Sequence, residues 1–154
     1  MQRYQPIAIL LLRIATAANF LSPVASRLGL WGAQGSNWAD FLLRTKEINP
    51  LAPAGAIPFL AVTATILETS IALLLLVGYK TRWAALAAAI LTFLFATAMY
   101  TATGIKPVLD YAVLVDCTSA LLLATMATYR WSIDALLIPR PIVHPPKTFT
   151  HATH

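Results

Sequence analysis

Cysteine is nearly absent from this sequence: Cys117 stands alone among 154 residues. That excludes an intramolecular disulfide, a paired-cysteine redox centre and a multi-cysteine zinc site. Charge is scarce too, at 11% of residues, where an average globular chain carries about 25%. The eleven Lys and Arg stand in ones and twos, so the net charge of +5 is not the basic stripe that nucleic acid requires. Six Gly and ten Pro make no low-complexity segment, and 58% hydrophobic residues exclude a disordered chain. A soluble body of this length has too little interior to hide so much apolar surface. With a mean hydropathy of +0.71, the composition predicts an integral membrane protein.

A hydrocarbon core of about 30 Å needs roughly 20 apolar residues in a helix, and four stretches reach that length. The first covers residues 7–24 and is interrupted by Arg13 and Pro23. The second, 57–77, opens with Pro58 in its first turn, where a missing N–H costs nothing, and closes at Gly78. The third, 83–103, is rich in Ala and ends at Gly104; the fourth runs over 107–127. The links YKTR and GIK are so short that the last three must be antiparallel neighbours. The predicted fold is an all-α, integral membrane four-helix antiparallel bundle over residues 1–138. A cleaved signal peptide is the alternative for the first stretch, but Arg13 stands in the middle of its apolar run.

The one long loop, 25–56, contains SNWADFLLRTKEI. Helical spacing puts Trp38, Phe41, Leu42, Thr45 and Ile48 on one face, with Asn37 as N-cap and Asp40 three residues on. Trp31 and Trp38 suit headgroup depth, so this segment is predicted as an interfacial amphipathic helix forming a lid; a plain packed loop is the alternative. Placing both termini in the cytoplasm puts six loop cations inside (Arg3, Lys80, Arg82, Arg130, Arg140, Lys147) and four outside (Arg27, Arg44, Lys46, Lys106). The tail, 139–154, is rich in Pro and polar residues and reads as flexible. His144, His151 and His154 lie in it without the fixed third or fourth ligand that a metal site needs, so no metal is expected.

Four ionisable residues fall inside the spans: Arg13, Glu68, Asp110 and Asp116. A charge at the bilayer centre costs at least about 2.5–3.5 kcal/mol, so each needs a partner or a function. The rise of about 1.5 Å per residue brings Arg13, Glu68 and Asp116 to similar depth near the midplane. If they meet, two carboxylates face one guanidinium and share a proton. Such a cluster suits a quinone carbonyl and its proton; it equally suits a clamp that holds helices in register. Asp110, four residues after Lys106 at a helix start, is explained by helix-end electrostatics. Tyr100 and Tyr111 fit an aromatic belt, the hydroxyls around Glu68 (Thr63, Thr65, Thr69, Ser70) fit bonds to backbone or across helices, and Cys117 fits a small buried side chain. Ala84 and Ala88, with Ala85 and Ala89, have the spacing that lets helices approach closely.

Three strings together resemble one family. LLLRIATAANFLSP with its intraspan Arg, LETSIALLLLVGYKTRWAAL with Glu in the second span, and GIKPVLDYAVLVDCTSALLLA look like the corresponding spans of the DoxX-like small membrane proteins. INPLAP resembles the lid loop of one subgroup. The resemblance covers most of residues 7–137 and implies a four-helix membrane fold, with Arg13, Glu68 and Asp110 as family-like polar residues and Trp38, Asn49 and Pro50 in the lid. Many members have Gly three residues after the Glu, where this chain has Ile71, and the paired cysteines of the dehydrogenase-maturation relatives are missing. The family implies association with quinone-linked oxidoreductases.

Two readings follow. One is a bacterial inner-membrane subunit of a quinone-linked oxidoreductase or respiratory complex, with possible quinone binding at Arg13, Glu68, Asp116 and Asp110 and no intrinsic cofactor. The other is a non-catalytic anchor or assembly protein whose polar cluster only clamps helices. Both take the lipid bilayer and partner subunits, or further copies of the chain, as partners. No self-contained catalytic motif marks the chain as an enzyme, and fold analogy does not supply one.

Overall fold

The computed structural model describes residues 2–32 and 35–137. The tail 139–154 with its three histidines, expected to be flexible, lies outside the described residues. Among those described there is no β-strand, only an isolated bridge between Leu28 and Asn37. The helices are α1 (Gln5–Arg27), α2 (Trp38–Ile48), α3 (Ile57–Val77), α4 (Thr81–Thr103), α5 (Ile105–Asp110), α6 (Val113–Ala124) and α7 (Ile133–Leu137).

Three helices are long and apolar enough to cross a membrane: α1, α4, and α3 together with the 3-10 turn Ala54–Ala56 that leads into it. Their outward faces carry large exposed apolar side chains, among them Phe59, Ile66, Trp83 and Phe93. A water-soluble monomer rarely leaves so much apolar surface uncovered. Inward, the helices meet on small residues. Ala84, Ala85, Ala88 and Ala89 are all buried, and α4 packs there most extensively against α6. Short side chains at this spacing permit close backbone approach. The other large contact is α1 on α3, with Ala17, Ala72 and Leu75 fully buried in the shared core.

Local sequence sets the element ends. α1 has Pro at its start. α3 begins with Pro58 and stops at Gly78, whose φ of +72° is a left-handed cap that glycine adopts without a Cβ penalty. α2 starts at Asn37 with a reciprocal capping box: the Asp40 N–H donates to Asn37 Oδ1 at 3.0 Å and the Asn37 N–H to Asp40 Oδ2 at 3.3 Å. The least exposed residues of α2 are Trp38, Phe41, Leu42, Thr45 and Ile48, and the helix packs on α3 and α4.

Two expectations require correction. The first apolar stretch does not end near Val24: α1 continues through Pro23 to Arg27. The proline has no N–H to donate to the Asn19 carbonyl, and it lies within the last turns of α1, which continues helical to Arg27. The fourth stretch, 107–127, is not one helix. It is split at Tyr111–Ala112, where Ala112 has φ +53° and ψ +26°, and α6 then runs for only 12 residues. That is about 18 Å, short of a bilayer core on its own.

Candidate functional site

α1 buries one stripe along its length: Ile9, Arg13, Thr16, Ala17, Phe20, Val24 and Arg27. Spacing of three and four residues keeps them on one face. The two arginines of this stripe go to different places.

Arg27, the last residue of α1, turns inward. Its Nη1 donates to Glu68 Oε2 at 2.6 Å and its Nη2 to Glu68 Oε1 at 3.2 Å, a two-point ion pair with both side chains buried. Nη1 also donates to Thr65 Oγ1 at 2.9 Å, one turn before Glu68 on α3. The Phe41 ring of α2 lies over the guanidinium, 3.6 Å from its carbon to the ring centroid, and Trp38 stands beside Phe41 with centroids 5.7 Å apart. Three elements therefore meet at one cation, which a planar guanidinium suits better than an ammonium would.

Beside this pair is an open-sided cavity of about 670 Å³ lined by residues of α1, α2, α3, α4, α5 and α6. Its walls include Thr16, Asn19, Phe20, Arg27, Phe41, Glu68, Thr92, Phe95, Met99, Tyr111 and Asp116. The volume falls in the range of roughly 300–1,000 Å³ common to small-molecule sites. At the α6 wall Asn19 Nδ2 donates to Asp116 Oδ1 at 2.8 Å. Glu68 and Asp116 thus share one cavity, but different partners hold them and no hydrogen bond joins them.

Arg13 does not join them. It lies toward the other end of α1, 3% exposed, and its Nη2 donates to the Trp131 carbonyl at 2.7 Å. Its Nε and Nη1 have no hydrogen-bond partner among the described residues. The charges of Arg13 and Asp134 act on each other, without an ion pair between them. The expected trio of Arg13, Glu68 and Asp116 is therefore corrected: the cation that reaches Glu68 is Arg27. Placing the first stretch at residues 7–24 makes Arg27 a loop charge and hides it. The visible signal was the fourteen-residue separation of Arg13 and Arg27, nearly four turns, which places both on one face.

Asp110 is exposed and paired with Lys106, four residues earlier, and is not part of the cavity wall. Cys117 is partly buried with its thiol toward the Ala89 carbonyl at 3.4 Å. Thr65 and Thr69 donate back to Ala61 and Thr65 carbonyls on their own helix.

Sequence reasoning also missed a latch below the bundle. Asp134 at the start of α7 accepts from the Lys80 and Thr81 N–H groups, both at 2.7 Å, and so caps the start of α4. Partial burial pushes its carboxyl up, but the hydrogen bonds from Thr81 and Lys80 and the charge of Arg13 outweigh this and hold it below the usual range. Nearby, burial raises the Tyr129 phenol, whose O–H donates to the Leu123 carbonyl at 2.8 Å. Among the described residues no group of three or more His, Cys, Asp and Glu could hold a metal ion.

No family model matches the chain, and neither the curated proteins nor the solved structures contain a match.

Proposed function

We propose that this chain is a multi-pass membrane protein that binds a quinone-type ring in the cavity beneath α2, as a small subunit of a bacterial inner-membrane oxidoreductase. The observation that carries the reading is the cavity itself: about 670 Å³, flanked by Phe20, Phe95 and Met99, with the polar groups of Asn19, Glu68 and Asp116 in the same wall. Aromatic and sulfur-bearing walls suit a flat ring, and a few fixed polar groups orient it. The resemblance to the DoxX-like proteins points the same way. The split fourth segment, α5 with α6, completes a four-helix bundle around the cavity, and α2 lies over its mouth at the interface. Arg27 is turned into the protein, so it no longer counts among the outer loop cations; this strengthens the excess of basic residues on the side of both termini and favours their cytoplasmic placement. Electrons come from partner subunits, since the chain supplies no cofactor-binding motif.

The clamp reading also has a specific observation behind it, the closed Arg27–Glu68 pair. The two readings divide the polar residues: the ion pair holds α1, α2 and α3 together, while Asn19 and Asp116 face the ligand. The test is titration of the detergent-purified protein with a short-tailed benzoquinone, wild type beside Met99→Trp, which puts a large ring into the cavity wall while leaving Arg27 and Glu68 unchanged. Saturable binding lost in a variant of unchanged melting temperature supports a ring site. Absence of saturable binding to a folded wild type leaves the clamp and assembly role.

A further inference from the structure

Charge is divided unevenly between the two ends of the bundle. Arg3, Arg13, Lys80, Arg82 and Arg130 stand at the end where α1 begins and α3 turns into α4, and Asp134 is the one carboxylate among them. The other five carboxylates of the sequence lie toward the end that α2 covers, together with Arg27, Arg44, Lys46 and Lys106. Asp134 is already occupied: one oxygen accepts from the Lys80 N–H and the other from the Thr81 N–H. The same bonds gather three of the cations. Lys80 and Arg82 flank Thr81 at the start of α4, Arg130 is four residues before Asp134, and the charge of Arg82 acts on the Tyr129 phenol next to Arg130. Lys80, Arg82 and Arg130 are exposed, and none of them is in an ion pair among the described residues. All six Asp and Glu of the sequence are among those residues, so no further side-chain carboxylate is left to answer these charges. Arg13, held at the Trp131 carbonyl, is buried with Nε and Nη1 unpartnered and adds to the positive field.

Aromatic rings accompany these cations. Arg130 lies along Trp131, 5.3 Å from its guanidinium carbon to the ring centroid, and Lys80 along Tyr79, 5.8 Å from Nζ to the centroid. Trp83, Trp131 and Leu136 are exposed at the same end. Trp and Tyr at the ends of spans sit at headgroup depth, where Lys and Arg beside them reach the phosphates. Basic side chains clustered at the end of a span attract anionic lipid, and a guanidinium pairs with phosphate through two N–H groups. We propose that Lys80, Arg82 and Arg130 form a binding site for the phosphate headgroup of an anionic phospholipid, whose acyl chains lie against Trp83 and Trp131. A lipid held there bridges the α3–α4 turn to the segment that leads into α7.

The test titrates the delipidated full chain in detergent micelles with phosphatidylglycerol or with phosphatidylcholine of the same acyl chains. Binding is read from tryptophan fluorescence, and melting temperatures are recorded on the same samples. Wild type is expected to bind phosphatidylglycerol roughly tenfold or more tightly than phosphatidylcholine, and to melt higher with it, because a ligand of the folded state stabilises that state. The combined Lys80→Gln, Arg82→Gln and Arg130→Gln variant loses the preference. Lys46→Gln with Lys106→Gln, which removes two cations from the opposite end, keeps it. Salt at about 1 M, where the Debye length is about 3 Å, abolishes the preference in wild type, a measurement that needs no variant to fold. Equal affinity of wild type for the two lipids overturns the site. A preference that survives in the folded triple variant, or in wild type at high salt, overturns the assignment to these cations. An equal loss in the Lys46 and Lys106 variant reduces the effect to net charge and overturns a local site. Stabilisation by glycerol 3-phosphate equal to that by phosphatidylglycerol makes it a site for soluble anions and overturns the lipid.

Discussion

Arg27 and Glu68, 41 positions apart, meet through two hydrogen bonds of 2.6 and 3.2 Å at the junction of α1, α2 and α3. Neither side chain retains appreciable solvent contact. The pair is a consequence of α1 continuing past Pro23, which carries Arg27 one turn further along the buried stripe. Removing one partner of a buried pair strands the other charge, a cost of about 3–5 kcal/mol, whereas replacing both by apolar groups is often neutral. Glu68→Ala is therefore expected to destabilise the protein by that amount, and Arg27→Met with Glu68→Leu to recover most of it. Reversible unfolding in detergent or bicelles, run as a double-mutant cycle, measures the coupling. Additive losses would show that the two side chains do not act as a pair.

Gly78 and Gly104 form an internal control for a second prediction. Both have positive φ, +72° and +83°. A Cβ at Gly78 would stand 2.6 Å from Arg13 Nη1 and 2.9 Å from the Ser132 Cα, whereas one at Gly104 meets nothing within 4 Å. Gly104→Ala pays for backbone alone: φ +83° with ψ −173° is a region essentially reserved for glycine, at a cost of about 1–3 kcal/mol. Gly78→Ala adds an overpacking cost of about 1–3 kcal/mol and displaces the segment that Arg13 holds at Trp131. The melting temperature is expected to fall further for Gly78→Ala, and protease sensitivity between Thr125 and Ile133 to rise only there. Equal effects at the two glycines would remove the close approach from the argument.

The parts that were legible in the sequence are those fixed by local chemistry. The apolar run of α3 gives its length, Gly78 gives its end, and Asn37 with Asp40 gives the start and the buried face of α2. The parts that were not legible depend on distant partners or on backbone geometry with no residue signature. Alanine is a strong helix former, so nothing in the letters marks Ala112 as the place where the fourth apolar segment breaks. Asp134 caps α4 from 53 positions away, a contact that no local pattern announces. For the site, Glu68 and Asp116 were identifiable as intraspan charges, but the arginine assigned to them was the wrong one of two on the same helical face.

Asp134 gives a pH dependence with a definite sign. Its folded carboxyl titrates below its ordinary value, on account of the Thr81 and Lys80 N–H groups and the Arg13 charge working against burial. A depressed folded value contributes stability that is present above the ordinary aspartate value of about 3.9 and is lost as the pH falls through the folded value. Asp134→Asn keeps a capping side chain but cannot titrate, so its melting temperature should decline less steeply below about pH 4 than that of the wild type. Asp134→Ala also removes the cap and costs about 1 kcal/mol near neutral pH. Parallel acid limbs for wild type and Asp134→Asn would assign the acid sensitivity to other carboxylates.

Ala112 offers a substitution that should stabilise. Its φ of +53° and ψ of +26° place an L-residue in the left-handed region, where the Cβ crowds the following carbonyl at a cost of about 1–2 kcal/mol. The conformation persists because the chain around it is fixed: the Ala112 N–H donates to the Leu109 carbonyl at 3.0 Å, and the Ala112 carbonyl accepts from Val115 at 2.9 Å and Asp116 at 3.1 Å. Ala112→Gly removes the Cβ while keeping those bonds. It also loosens the unfolded chain, which takes back about 0.4–1 kcal/mol, so a net gain of order 0.5–1 kcal/mol is expected. Ala112→Val should do the opposite, because a β-branched side chain tolerates positive φ worse than alanine. A melting temperature that rises for Gly and falls for Val establishes that the break is a fixed left-handed joint at the start of α6. A fall for both would mean that Ala112 leaves the left-handed conformation in the folded protein.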